Sequence, residues 1–303
     1  MTADVSRNPS VRQQPEVSVR SPLITIFALP KPFNGESNRL QRNALASWTA
    51  LGDEVQVLIA GDDEGVQEAA AEFGVEYLGG LRKNDNGTPY LDHLFELAHE
   101  HADGQFLLYV NADILLFDDA LIAAKRLISH QHDEFLAIGR RLDLDYDDEL
   151  DTTDESWSSS LIDDAQERGN WSSIVCKDYF LFPRTLYREI PAFLVGRGNW
   201  DNWMVHQAKQ LKIPVIDLSE EILAIHQNHG YGHMGKGRLE AYVTGDEARH
   251  NETVGGGKHL ISGASAEWSL AESGELRRLR DRWRLLRDTP RFFNLLLSFT
   301  RRD

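Results

Sequence analysis

Cysteine is almost absent from this sequence of 303 residues, which contains only Cys176. A single cysteine cannot form an intrachain disulfide, so the fold must depend on its hydrophobic core. Long apolar runs are absent too, since no stretch approaches the roughly 18 residues that a membrane-spanning helix needs. Residues 1–20 are polar and lack the apolar segment of a secretory signal. We therefore expect a cytoplasmic protein with a disordered lead-in over residues 1–20.

Positive charge is also scarce: 32 lysines and arginines stand against 48 acidic residues, for a net charge of −16. Such a surface argues against nucleic acid as a partner, because phosphates bind to basic patches. An acidic protein that handles an anionic nucleotide needs a local cation, which is the first indication of a metal. Residues 275–303 are the exception, with nine arginines against four acids.

Short apolar runs alternate with helical segments through the first half of the chain. The predicted strands are 23–29, 54–60, 75–78 and 105–110, and the predicted helices between them are 40–51, 65–73 and 89–101. This alternation predicts an α/β protein with a doubly wound, mainly parallel sheet. Ligands of such sheets bind at the carboxyl ends of the strands.

The second half of the chain is less regular. The predicted strands there are 135–140, 178–182 and 221–225, the predicted helix is 201–211, and residues 143–154 are interpreted as an acidic loop. We expect a catalytic domain over residues 21–262, followed by a basic amphipathic helical tail over residues 263–303.

The tail places Leu276, Leu279, Trp283 and Leu286 on one helical stripe among arginines. Two interpretations remain open. A basic amphipathic helix can lie in a membrane interface beside anionic lipids, which would make the protein peripheral to the membrane. Alternatively, the stripe packs on the acidic body or on a second subunit of a homo-oligomer, and the net charge of the body favours this packing.

Asn111-Ala-Asp113 follows directly after the predicted strand 105–110. A carboxylate at the end of a buried strand lies where the diphosphate of a nucleotide would bind. Mg²⁺ and Mn²⁺ prefer oxygen ligands and are commonly shared between carboxylates and phosphates. The alternative is that Asp113 only caps the helix that follows.

In its order of motifs the chain resembles glycosyltransferases of the GT-A fold, such as those of family 2. The strand 23–28, then Gly61-Asp62-Asp63, then Asn111-Ala-Asp113 follow the order of that family's nucleotide half, and the resemblance spans about residues 22–235. It implies a three-layer, Rossmann-like fold, a nucleotide-diphosphate sugar as donor, and Mg²⁺ or Mn²⁺ bound by Asp113. It also implies that Asp62 or Asp63 lies near the nucleoside, and that Asn111 replaces the first aspartate of the DxD motif.

His226 and His229 follow the last predicted strand of this domain. Many GT-A enzymes supply a histidine to the metal from this place, so the resemblance implies that one of the pair binds it, with His226 favoured. A neutral imidazole is a suitable Mn²⁺ ligand. The alternative is one packed and one solvated histidine.

Asp201 lies at the start of a predicted helix between Trp200 and Trp203. In inverting GT-A enzymes a carboxylate at a similar helix start deprotonates the acceptor hydroxyl, so the resemblance implies that Asp201 is the general base. The two tryptophans are candidates for binding the acceptor through their apolar faces. The alternatives are a helix cap for Asp201 and core packing for the tryptophans.

Five further residues are candidates by their position in the resemblance. Thr88 and Asp92 lie in a segment that often touches the nucleotide. Arg140 lies where donor sugars are often bound. Asp178 is a candidate for the acceptor, which could be a glycan, a lipid-linked sugar or a small molecule. Lys236 belongs to a glycine-rich loop that could close over the diphosphate.

Two other functions remain as alternatives. A sugar-phosphate nucleotidyltransferase would carry a glycine-rich basic loop after its first strand, and the segment 30–35 has one glycine and one lysine. A non-catalytic protein of the same fold would bind the nucleotide or sugar without transferring it. An inverting, metal-dependent glycosyltransferase is the function that these residues favour.

Overall fold

The computed structural model describes residues 21–229, 240–259, 265–279 and Pro290. The strands are β1 (Ile24–Ala28), β2 (Val55–Ala60), β3 (Glu76–Leu78), β4 (Phe106–Val110), β5 (Ile114–Leu115), β6 (Leu136–Ile138), β7 (Leu142–Leu144), β8 (Asn170–Trp171), β9 (Tyr179–Pro183), β10 (Val215–Asp217), β11 (Ile225–Gln227), β12 (Trp268–Leu270) and β13 (Leu276–Arg278). The helices are α1 (Gly35–Thr49), α2 (Val66–Phe73), α3 (Leu91–His101), α4 (Asp119–Ser129), α5 (Trp157–Arg168), α6 (Trp200–Gln210), α7 (Asp246–Val254) and a π-helix (Glu240–Thr244).

Among these residues, nine strands form a central sheet in the order β13-β12-β10-β6-β9-β4-β1-β2-β3. β9 and β13 run antiparallel to their neighbours and the other pairs are parallel. A smaller sheet has the order β5-β11-β7-β8. The predicted mixed, mainly parallel sheet is confirmed.

Helices cover both faces of the central sheet, which explains why its strands are continuous apolar runs. In β1, Ile24 and Ile26 face the core shared with α1, α2, α4 and α5. Phe27 faces the opposite core, which includes α3 and α6. All five residues of β1 and of β4 are buried. The result is the three-layer arrangement expected from the sequence.

Two predicted elements of the second half are wrong in part. Residues 221–224 form a turn rather than a strand, because the amides of Glu221 and Ile222 bond to the carbonyl of Leu218 and the amide of Leu223 bonds to the carboxylate of Asp119. The strand therefore begins at Ile225. Residues 142–144, at the start of the predicted acidic loop, form β7 and place Asp143 in a sheet.

The helical stripe predicted from Leu276 onward is also wrong at its start. Leu276–Arg278 is a strand that pairs antiparallel with Trp268–Leu270 at the edge of the central sheet. A free sheet edge offers backbone hydrogen bonds, and these override the helical spacing of the leucines. Residues 280–289 and 291–303, which hold most of the predicted tail, lie outside the described residues. No described helix is long and apolar enough to cross a membrane.

Candidate active site

Asn111-Ala-Asp113 is the link between the two sheets. The chain leaves the central sheet at Val110 and enters the smaller sheet at Ile114. The amide of Asn111 donates to the carbonyl of Asp178 over 3.1 Å, which continues the pairing of β4 with β9. Asp113 therefore lies where the carboxyl end of β4 meets the second sheet, as the motif predicts.

The register of the smaller sheet brings histidines to this carboxylate. β11 lies between β5 and β7, so that His226 is paired with Ile114 on one side and with Asp143 on the other. His226 Nε2 lies 3.8 Å and His229 Nε2 3.0 Å from Asp113 Oδ2. His226 is in the middle of its strand rather than at its end, and His229 is the nearer of the two.

These three side chains form a candidate metal centre. One ligand atom from each of Asp113, His226 and His229 lies within 4.8 Å of the others. Burial alone would raise the pKa of Asp113, but the hydrogen bond from His229 and the charges of His226, Lys31 and His229 hold it well below its usual range. Asp113 is thus an anion, and its buried Oδ1 has no hydrogen-bond partner among the described residues. A buried carboxylate oxygen without a partner is what a divalent cation would satisfy.

Asp143 supports the centre from behind. Its Oδ1 lies 2.9 Å from His226 Nδ1. A carboxylate behind a histidine orients the ring and leaves its other nitrogen to face a metal. Burial would raise the pKa of Asp143, yet His226 and Arg141 lower it. The role of Asp143 was missed because residues 143–154 were interpreted as a loop, although Leu142-Asp143-Leu144 alternates as a strand does.

Arg141 connects the metal side of the site to Asp178. Its Nε donates to Asp143 Oδ1 and its Nη1 to Asp178 Oδ1, each over 2.7 Å. Asn111 Nδ2 also donates to Asp178 Oδ1 over 2.9 Å, while the buried Oδ2 of Asp178 has no partner among the described residues. Asp178 and Asn111 thus belong to one hydrogen-bond network with Arg141, and Arg141 rather than Arg140 lies between Asp143 and Asp178.

Asp201 faces the same region from α6. Its Oδ2 lies 3.1 Å from the ammonium of Lys177. Asn199 is the N-cap residue of α6, and its side chain makes no capping hydrogen bond. Burial raises the pKa of Tyr109, and the charges of Asp113, Asp178 and Asp201 raise it further. Asp201 therefore lies inside the first turn of α6 rather than at the N-cap position that was its alternative role.

The two tryptophans beside Asp201 are core residues. Trp200 is 9% and Trp203 8% exposed. Trp200 packs against Tyr109 with ring centroids 5.2 Å apart, and Trp203 packs against Phe193 at 5.4 Å. Little of either ring is open to an acceptor. The predicted role of the two tryptophans in acceptor binding therefore stays a prediction, and their low exposure does not support it.

Asp62 and Asp63 follow β2, which is separated from β4 by β1 in the central sheet. Gly61 has a φ of 122°, a conformation that glycine adopts without strain, and it turns the chain out of the sheet. Asp62 Oδ1 accepts a hydrogen bond from the amide of Gly80 over 2.7 Å. Asp63 pairs with Lys83 over 2.9 Å. Both lie at the carboxyl end of a parallel strand, where such sheets bind ligands.

Thr88 and Asp92 already have partners. Thr88 Oγ1 donates to Glu247 over 2.8 Å, and Asp92 pairs with Arg82. The guanidinium of Arg140 lies 4.6 Å from the ring centroid of Trp171, in a cation–π contact. Lys236 lies outside the described residues. The structure thus brings Asn111, Asp113, Asp178, Asp201, His226 and His229 to one region, and places Thr88 and Asp92 in contacts of their own.

Comparison with known proteins gives the fold. No protein-family model and no curated protein sequence matches the chain. The structure of residues 1–349 of TarS from S. aureus in complex with UDP-GlcNAc has a TM-score of 0.50 and 14% identity, covering 90% of this chain and 73% of that one. The same TarS fragment in another crystal has a TM-score of 0.45 and 12% identity, covering 68% of this chain, which spans only 60% of that fragment.

Glucosyl-3-phosphoglycerate synthase from M. tuberculosis, in complex with Mn²⁺, UDP-glucose and phosphoglyceric acid, has a TM-score of 0.45 and 11% identity, covering 78% of this chain and 80% of that one. At these identities the likeness to TarS establishes the fold and nothing further. The chain has the fold of the GT-A glycosyltransferases, and the fold predicted from the sequence is confirmed.

Proposed function

We propose that this protein is a glycosyltransferase that moves a sugar from a nucleotide-diphosphate donor to a hydroxyl group with the help of a divalent metal. The observation that carries the proposal is the cluster of Asp113, His226 and His229 where β4 meets the smaller sheet. The GT-A fold supports it, because TarS, which shares that fold, is bound to UDP-GlcNAc in its crystal structure. We therefore favour a uridine diphosphate sugar as donor.

The donor set fits Mn²⁺ better than Mg²⁺. One carboxylate and two imidazoles are a mixed oxygen and nitrogen set, whereas Mg²⁺ prefers oxygen alone. Asp113 would supply its carboxylate, and His226 and His229 the Nε2 atoms that face it. When bound, the ion would offset the charge that develops on the departing diphosphate. The side-chain amide of Asn111 donates to Asp178, so Asn111 would not bind the metal through that group. Asp113 would then be the one residue of the Asn111-Ala-Asp113 motif that binds the metal.

Asp201 is the proposed general base. Its carboxylate is 28% exposed, so a hydroxyl can reach it. Asp201 would accept the proton of the acceptor hydroxyl while the new oxygen–carbon bond forms and the bond from the sugar to the diphosphate breaks. A single displacement of this kind inverts the configuration of the sugar carbon. Asp178, held by Asn111 and Arg141, would bind the acceptor or the sugar beside it.

The remaining candidates would bind the donor. Asp62 and Asp63 lie at the carboxyl end of β2, a position suited to the nucleoside. Thr88 and Asp92 would act by shaping the loop that they stabilise, since both are already paired. Arg140 would contact the sugar or the diphosphate, and Lys236 would close over the diphosphate. A glycan or a lipid-linked sugar is the proposed acceptor.

A thermal-shift screen tests the proposed function. Uridine and guanosine diphosphates and their sugars are added with Mn²⁺ or with EDTA. A ligand at 100 times its Kd stabilises the folded state by about 2.7 kcal/mol, which raises Tm by several degrees. We expect a uridine ligand to do so with Mn²⁺ only. Formation of pyrophosphate from a nucleoside triphosphate and a sugar phosphate would instead indicate a nucleotidyltransferase, and no shift with any nucleotide would refute the proposal.

A further inference from the structure

Lys177 is a buried cation beside the proposed base. Only 1% of its side chain is exposed. Its ammonium lies 2.9 Å from the carbonyl of Val175, 3.0 Å from Asn202 Oδ1 and 3.1 Å from Asp201 Oδ2. An ammonium has three protons to donate, and three acceptors surround this one. Such a complete set is what allows a charge to be buried without a large penalty.

The acceptors around Lys177 are themselves fixed. Asn202 donates its Nδ2 to the carbonyl of His259 over 2.9 Å, so that its Oδ1 must face the lysine. Asn199, one turn earlier, accepts from the amide of His259 over 2.9 Å. The first turn of α6 is thus held to residues 257–259, and Lys177 is held to that turn.

Lys177 also adjoins the other half of the site in sequence. The next residue, Asp178, faces Asn111 and Arg141. Consecutive residues before β9 therefore contact the two regions that a glycosyl transfer needs, the metal side and the base side. This arrangement fixes Asp201 relative to Asp113 through a short stretch of chain.

We propose that Lys177 is a positioning residue, which holds the Asp201 carboxylate by Oδ2 and leaves Oδ1 to accept the proton of the acceptor hydroxyl. The ion pair joins the ammonium to Oδ2, and 28% of the Asp201 side chain is exposed. The inference rests on the proposed function, in which Asp201 is the base. A base that rotates freely is in the productive orientation for only part of the time, and a misplacement of about 1 Å can reduce the rate about 100-fold.

The first test is a mutant cycle. Release of UDP from UDP-N-acetylglucosamine in the presence of Mn²⁺, by transfer to water, is measured for wild type, Lys177→Met, Asp201→Asn and the double variant. Lys177→Met should lower kcat about 10- to 100-fold with the Kd for UDP changed less than about twofold. In the Asp201→Asn background the same change should alter kcat less than about twofold, because a positioning residue acts only through its partner.

Lys209→Met is the matched control. Lys209 is on the same helix and pairs with Glu267 over 2.7 Å, but 30% of its side chain is exposed. It should retain the wild-type rate. Equal losses of kcat from Lys177→Met in both backgrounds, or a loss of UDP affinity that matches the loss of rate, would show a purely structural role and overturn the inference.

A crystal structure of Lys177→Met separates this inference from the proposed function, since it requires no turnover. We expect the Asp201 carboxylate to move or to become disordered while the backbone of α6 keeps its place. A carboxylate that stays in its original orientation without the lysine would overturn the inference, even in an active enzyme. Lys177→Gln, which removes the charge but keeps a polar group in the buried place, provides the same comparison if Lys177→Met does not fold. Failure of the wild type to bind UDP would count against the proposed function alone.

Discussion

Glu247 provides the sharpest prediction about stability. This residue of α7 accepts hydrogen bonds from Asn84 over 2.7 Å, Asn86 over 3.2 Å and Thr88 over 2.8 Å. Its second oxygen lies 2.7 Å from Nε and 2.6 Å from Nη2 of Arg197. One carboxylate therefore holds the loop before α3 and the segment before α6 to α7, and Glu247→Gln should loosen both.

The pKa of Glu247 gives the magnitude. Burial would raise it, but the hydrogen bonds from Asn84, Thr88, Asn86 and Arg197 lower it from 4.5 to about 2. A pKa lowered from 4.5 to about 2 corresponds to at most about 3–4 kcal/mol. Screening by water at a side chain that is 16% exposed reduces this to about 1–2 kcal/mol. Because the folded pKa is the lower one, this stabilisation is complete above about pH 4.5 and is lost as pH falls toward 2.

Urea unfolding of wild type and Glu247→Gln tests this prediction. The free energy of unfolding should differ by about 1–2 kcal/mol at pH 7, and the difference should shrink as pH falls below about 4.5. Glu252→Gln is the control, since Glu252 is on the exposed side of the same helix. A difference that is absent at pH 7, or that grows as the pH is lowered, would refute the reasoning.

Three further predictions concern the site and the tail. Asp201→Asn should lower kcat about 100-fold or more with the Kd for UDP nearly unchanged; a lower Tm with a normal rate would instead indicate a structural role. His229→Ala should weaken UDP binding about 10-fold or more in Mn²⁺ but not in EDTA, whereas His130→Ala, at the exposed end of α4, should have no effect; equal affinities in the two variants would remove His229 from the metal site. Deletion of residues 280–303, which leaves β13 in place, should abolish sedimentation with anionic liposomes if the tail is a membrane anchor; full-length protein that never sediments with them would leave packing on the body or a second subunit as the role of the tail.

The first half of the fold could be predicted because its signals are local. β1 and β4 are buried along their whole length and β2 over its last four residues, so that these runs are mostly apolar, and the glycine after β2 marks the turn. Asn111-Ala-Asp113 was found because it follows such a run directly. A polar motif after a buried strand must lie at the edge of the sheet, whatever the rest of the fold.

The parts that sequence reasoning missed depend on contacts between distant residues. β7 pairs with β11 in a register that sets Asp143 beside His226, 83 residues later in the chain. β13 is a strand because β12 offers it an edge. The contact of Lys177 with Asp201 depends on the position of α6, which places the Asp201 carboxylate 3.1 Å from the ammonium of Lys177. These pairings cannot be predicted from the spacing of residues along the chain. Strands of three residues are also too short to show a clear alternation of apolar and polar residues.

In the proposed function, Asp113 binds a divalent metal, and this metal holds the diphosphate of the donor. Isothermal titration of UDP into the protein, with Mn²⁺ and with EDTA, tests it most directly. Wild type should bind UDP in Mn²⁺ and lose that binding in EDTA. Asp113→Asn should weaken the Mn²⁺-dependent binding about 10-fold or more, while Asp118→Asn, an exposed neighbour, should bind as wild type does. Equal affinity of Asp113→Asn and wild type for UDP in Mn²⁺ would contradict the account.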